Sequence, residues 1–363
     1  MQLLQERLQD LMDALNDAGY ACVGPMLRDD AIIYGRLNGA ADLPLGVVDQ
    51  QSPGSYRTHV TASQRRFAWA NGPQALKPFL FAPRDTLWWA TRQADGSLVF
   101  DARQSRHKPL AVIGARACDL AALALQDKHF LQGAYPDPGY ASRREGLFIV
   151  AVNCSHPADT CFCASTGDGP RASSGFDIAL TELDDGFVAE AGSARGAAIL
   201  QALSLPDATP AQIAAAEAQS RQAAARQTRT LPGRNLQAAL FANLEHPRWN
   251  EVAERCLSCG NCTSVCPTCF CHSEADAPQL DGAKSEHVRE WDSCFTQGHS
   301  YIHGFTVRPD TRTRYRQWLT HKLGSWHEQY GRSGCVGCGR CLSWCPVGID
   351  LTEEATVICS AEQ

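Results

Sequence analysis

Cys256-Leu-Ser-Cys259-Gly260-Asn-Cys262-Thr-Ser264-Val-Cys266-Pro267 returns as Cys335-Val-Gly-Cys338-Gly339-Arg-Cys341-Leu-Ser343-Trp-Cys345-Pro346, with seven of twelve residues identical at a constant offset of 79. Three cysteines at i, i+3 and i+6 on one tight loop can wrap three corners of an iron–sulfur cubane. The fourth cysteine, set in Cys-x-x-x-Cys-Pro, points its sulfur elsewhere. Zinc sites draw four ligands from two Cys-x-x-Cys pairs, which leaves no role for the third cysteine or for the Cys-Pro. A structural anchor needs only one cluster, so two argue for electron relay.

In two-cluster ferredoxins the Cys-Pro cysteine of each motif ligates the other cluster. Both copies here carry the full pattern. That assigns one [4Fe-4S] cluster to Cys256, Cys259, Cys262 and Cys345, and the second to Cys335, Cys338, Cys341 and Cys266. Gly260 and Gly339 let the backbone approach so that amides can donate to anionic sulfur, and Pro267 and Pro346 suit the first turn of a helix leaving the site. Compact ferredoxins bring their motifs closer together. With a long segment between them, residues 235–360 resemble the α-helical ferredoxins that serve as relay subunits of larger oxidoreductases.

Outward from this repeat, the 363-residue chain holds seventeen cysteines, five in residues 1–255 and twelve in residues 256–363. The amino terminus shows no secretory signal, and no apolar run is long enough to span a bilayer. The expectation is a cytoplasmic protein whose thiols bind metal rather than pair as disulfides. A net charge of −6 gives no nucleic-acid footprint.

The first 200 residues read differently. Leu4, Leu8, Leu11, Met12 and Leu15 mark a helix ending at Gly19. Phe79-Leu80-Phe81, Thr86–Ala90 and Ser97–Phe100 read as β structure around an Asp95-Gly96 turn. Leu110–Gly114 and Leu147–Val152 are wholly apolar, as in strands covered on both faces, with helical sequence between them. The expectation is an α/β domain with a partly parallel sheet over residues 1–205. A helical linker follows over 206–234, opened by Thr209-Pro210, and then a mainly helical dicluster domain over 235–363.

Cys118 and Cys154 each follow a predicted buried strand, at the strand carboxyl ends where open α/β sheets place their sites. With Cys161 and Cys163 in a glycine-rich loop they form a candidate third iron–sulfur site, set against the alternative of small buried thiols. Cys269, Cys271 and Cys294 either complete another metal site or pack around the dicluster core. Cys22 and Cys359 read as structural.

The ordered set of Gly114–Leu120, Cys154…Cys161-Phe-Cys163…Gly-Pro, the paired motifs, Cys-Pro-Thr-Cys-Phe-Cys and Trp-Asp-Ser-Cys resembles one family over residues 75–355. It is the β subunit of cytoplasmic NAD(P)-linked [NiFe] hydrogenases, the sulfhydrogenases, related to the electron-transfer subunit of anaerobic sulfite reductase. The resemblance implies a non-catalytic subunit that passes electrons. On one side would stand [NiFe] hydrogenase small and large subunits, or sulfite reductase subunits, and on the other a flavin- and NAD(P)-binding diaphorase subunit.

Two rivals stand beside the relay: a sulfur-species reductase acting through the N-terminal cysteines, and a redox-silent scaffold. No GxGxxG, P-loop, GxSxG or HExxH is present, so the chain is expected to bind no nicotinamide or flavin itself. Arg308, Arg312, Arg314, Arg316 and Lys322 form a basic run, read either as a solvated helix face or as compensation for cluster charge.

Overall fold

The computed structural model describes residues 2–3, 7–102 and 108–360. Eleven strands lie in the N-terminal part. They are β1 (Gln2–Leu3), β2 (Ala21–Arg28), β3 (Ala31–Arg36), β4 (Val47–Ser52), β5 (Ser55–Val60), β6 (Arg84–Arg92), β7 (Leu98–Ala102), β8 (Leu110–Ala115), β9 (Leu147–Val152), β10 (Ile178–Leu183) and β11 (Gly186–Ala191). Seven of them make one sheet in the order β1-β11-β10-β9-β8-β2-β3. Its centre, β10-β9-β8-β2, is parallel, and both edges are antiparallel. The partly parallel α/β sheet expected from sequence is therefore present.

The two unalternating apolar runs, β8 and β9, are neighbours at the sheet centre. Phe148, Val150 and Val152 enter the core on one face, with Leu8, Leu11, Met12 and Leu15 of the helix Leu8–Asp17. Leu147, Ile149 and Ala151 enter the core on the other, with Leu120, Leu123 and Phe130 of the helix Ala117–Leu131. A strand covered on both faces has no solvated side for polar residues, which is why neither run alternates. The helix Pro210–Ala225 is opened by a Thr209–Gln212 capping box with proline at its first position, and it packs on β10 and β11.

The cysteine-rich part builds its own core from Leu240, Trp249, Val252, Phe295, Tyr315, Trp318 and Leu342. Short helices carry the cysteine loops. This part also contributes a hairpin, β12 (His272–Pro278) and β13 (Lys284–Trp291), which the sequence did not announce. β13 pairs with β6, giving a four-stranded sheet β12-β13-β6-β7 built from both halves of the chain. Phe79-Leu80-Phe81, read as a strand, is instead the end of the short helix Lys77–Leu80 and its exit. Proline at its second position favours a helical turn there, and Leu80 and Phe81 go into the core. Among the described residues no helix is long and apolar enough to cross a membrane.

Candidate iron–sulfur centres

The first motif begins where the helix Arg248–Arg255 stops, with Cys256 at its carboxyl cap in extended backbone. Gly260, at φ +76°, turns the chain into the short helix Asn261–Ser264, which carries Cys262. Cys256, Cys259, Cys262 and Cys345 all line one small cavity, whose other walls include Phe295, Tyr315, Trp318 and Ile349. Burial first, and then Cys256, Cys345 and Cys259, push the Cys262 thiol far above its ordinary value. Backbone amides already face sulfur: Ser258 N–H donates to Cys256 Sγ at 3.5 Å and Ile349 N–H to Cys345 Sγ at 3.3 Å. Tyr315 Oη and Trp318 Nε1, on residues of the same wall, are buried without a hydrogen-bond partner among the described residues. Unpaired buried donors are costly, and an anionic sulfur-rich group would satisfy them.

The second motif repeats the geometry. Gly339, at φ +74°, opens the helix Arg340–Ser343 carrying Cys341. Cys335, Cys338 and Cys266 are the thiols that most raise the Cys341 pKa after burial itself. Gly337 N–H donates to Cys335 Sγ at 3.5 Å. Cys345 thus lies on the cavity of the first motif, which Cys341 also lines, and Cys266 lies near Cys335, Cys338 and Cys341. The amides that reach sulfur include those of Ser258, Gly337 and Ile349, while Gly260 and Gly339 supply the left-handed turn.

Pro267 and Pro346 open no helix, contrary to expectation. Pro346 follows Cys345 inside a turn closed by Gly348 N–H to Cys345 O at 3.0 Å, and the next helix waits for its Asp350 cap. Proline's fixed φ suits that second turn position equally well. Pro267 sits in a bend whose carbonyl accepts from Gln126.

Lys322 is buried with its Nζ 2.9 Å from Thr268 Oγ1. Among the described residues no carboxylate lies within ion-pair distance of it. Burial alone would pull its pKa down, yet Cys266, Cys269 and Cys335 hold it above the ordinary lysine value. A buried ammonium among thiols, with the Thr268 hydroxyl and the face of Trp326 as its other neighbours, is stabilised by an anion there. Arg314 and Arg316 do something else: they donate to the carbonyls of Arg308, Phe295, Pro309 and Leu244 and so fix the helix Thr311–Thr320 in place.

Cys118, Cys154, Cys161 and Cys163 are all buried and gathered beyond the ends of β8 and β9. Burial first, then Cys163 and Cys154, raise the Cys161 thiol. Burial, with Cys154 second, pushes Cys163 to about 12, opposed by Gln227, whose Nε2 donates to Cys163 Sγ at 3.3 Å.

This set abuts the second motif. Phe162 N–H donates to Gly337 O at 2.8 Å, and Asn71 Nδ2 to Cys338 O at 2.8 Å. A Cβ on Gly337 would lie 2.5 Å from Cys163 N, and one on Gly339 would lie 2.3 Å from Thr160 O. Asp119 accepts from the Arg116 amide at the helix start and pairs with Arg340 at 2.8 Å, both side chains 1% exposed. Arg340, Asn71 and Gln227 carry no sequence signature, since each acts across a long chain separation.

Cys269 and Cys271 line a second cavity beside the first motif, and Cys294 adjoins Cys271. Cys22 packs in the sheet core, and Cys359 packs against the C-terminal core. Among the described residues no three His, Cys, Asp or Glu side chains converge on a single-ion site.

Residues 255–349 match a 4Fe-4S dicluster domain family, and residues 214–270 match a second 4Fe-4S dicluster domain family. No solved structure matches the chain significantly. Sulfhydrogenase 2 subunit beta of Pyrococcus furiosus is 31% identical over 277 residues, covering 76% of this chain and 79% of that protein. With the paired cysteine loops in place and that likeness running over most of both chains, the protein belongs to the sulfhydrogenase β-subunit family.

Proposed function

We infer that this chain is the iron–sulfur electron-transfer subunit of a hydrogenase. It relays electrons between [NiFe] catalytic subunits and a flavin- and NAD(P)-binding diaphorase subunit in the cytoplasm. None of the seventeen cysteines is joined in a disulfide, which fits a reducing compartment. The observation that supports the reading is the convergence of the two motifs, with Cys345 and Cys341 on the cavity of Cys256, Cys259 and Cys262, and Cys266 near Cys335, Cys338 and Cys341. Iron–sulfur clusters bound there supply one-electron carriers.

The chain's own residues do the rest. Eight thiols are positioned as ligands to two [4Fe-4S] clusters, and Cys118, Cys154, Cys161 and Cys163 as ligands to a third. The amides of Ser258, Gly337 and Ile349 donate to sulfur, and Lys322 and Arg340 set positive charge against it. The sets follow one another in space: the N-terminal set borders Cys338, and Cys341 of the second set borders Cys262 of the first. Cys259, at the far end, is exposed.

Potentiometric titration followed by electron paramagnetic resonance tests this reading on the anaerobically purified chain. Reversible signals from more than one cluster, without turnover of polysulfide or sulfite, are expected for a relay. A redox-silent protein would overturn it.

A further inference from the structure

Beside the first motif lies a cavity of about 240 Å³, bordered by Lys77, Cys259, Cys269, Cys271, Trp291 and Asp292. Cys271 and Cys294 stand at the foot of the β12–β13 hairpin, where Asp292 N–H donates to Cys271 O at 3.0 Å. Their thiols are hydrogen-bonded to each other. The His299 ring hydrogen-bonds the Cys271 sulfur, and its Nδ1 lies 2.9 Å from Asp292 Oδ2. A carboxylate, an imidazole, a thiol and a second thiol therefore stand in sequence.

We propose that Cys271 and Cys294 form a reversible dithiol–disulfide couple, with Cys271 as the attacking sulfur, that passes electron pairs to a small organic disulfide entering this cavity. The carboxylate–imidazole–thiol order is that of an activated nucleophile held by an oriented base. Hydrogen bonds from Cys294 and His299 pull the Cys271 thiol down to about 4, while Cys271 and Asp292 raise His299 to about 9. Cys294 goes the other way, raised by its bond to Cys271, and so keeps its proton. A low-pKa attacking thiol next to a protonated resolving thiol is the arrangement thiol–disulfide exchange requires.

The step balances as follows. Cys271 sulfur attacks one sulfur of R–S–S–R′, that bond breaks, and R′S⁻ leaves with the proton held by His299. Cys294 then attacks Cys271 Sγ, breaking the mixed disulfide, and RS⁻ leaves with the Cys294 proton. Two thiols are released and a Cys271–Cys294 disulfide is formed. Two electrons and two protons restore the starting state. The electrons come from the relay role inferred above, on which this part of the proposal rests, and Cys259 of the first motif borders the same cavity.

The test uses the full, iron-loaded chain, oxidised with diamide, alkylated and mapped by mass spectrometry. A Cys271–Cys294 disulfide peptide is expected, with iron per chain unchanged. Dithionite-reduced protein should reduce 2-hydroxyethyl disulfide, and C271A or C294S should lose that activity at least tenfold while keeping wild-type iron content and circular dichroism. Loss of iron in either variant would overturn the proposal by making these thiols ligands. Independent alkylation of both thiols after oxidation would overturn it as well. Failure of the relay reading shows separately, as wild-type protein without reducible iron in which the disulfide still forms.

Discussion

Lys322 is the residue whose placement says most about what the thiols around it hold. An ammonium buried among Cys266, Cys269 and Cys335 with no acidic partner is stable only opposite an anion. Lys322→Met should therefore make the adjacent centre harder to reduce, lowering its potential by about 60 mV for each ~1.4 kcal/mol of attraction lost. Redox titration of the variant checks this, and an unchanged potential would dissociate Lys322 from the centre. Cys345→Ser tests the crossing itself. It should abolish the resonance signal of the centre on Cys256, Cys259 and Cys262 while sparing its neighbour, and damage confined to the second motif's centre would show that each motif is self-contained. The two cysteine motifs were legible from spacing, while their crossing is an expectation taken from the two-cluster ferredoxin pattern. Lys322 was visible only as one member of a basic run, of which Arg314 and Arg316 turn out to bind backbone carbonyls.

At the scale of elements, strands β8 and β9 could be read from sequence because full burial removes alternation, and Cys118 and Cys154 could be placed at their ends for the same reason. The hairpin β12–β13 could not. Glu274 and Asp276 face its solvated side together with His287, and burial along β12 is slight, so no apolar period marks it. What makes it a hairpin is pairing with β6, some 200 residues away. The loops of the second motif are held by close approach rather than by cysteine chemistry. Gly337 and Gly339 combine positive φ with backbone of Thr160–Cys163 inside contact distance. Gly339→Ala should cost at least ~1–3 kcal/mol from the backbone conformation alone, with the contact to Thr160 adding to it. Thermal unfolding and iron content of the variant measure both effects, and wild-type values for each would show that the two cysteine regions are not locked together here.

For the whole molecule, the division at residues 205 and 235 is a reading of composition, and several contacts cross it. β13 pairs with β6, Asp119 pairs with Arg340, and Lys77 Nζ donates to the carbonyls of Ser264 and Cys269. Residues 235–360 expressed alone should accordingly bind less iron per chain than the same residues within the full protein. Equal iron content would mark that segment as self-sufficient. The central claim, that these thiols hold a series of iron–sulfur centres, is tested most directly by iron and acid-labile sulfide per chain after anaerobic purification. The account predicts about twelve of each, from three four-iron clusters, and stoichiometric zinc without sulfide would contradict it.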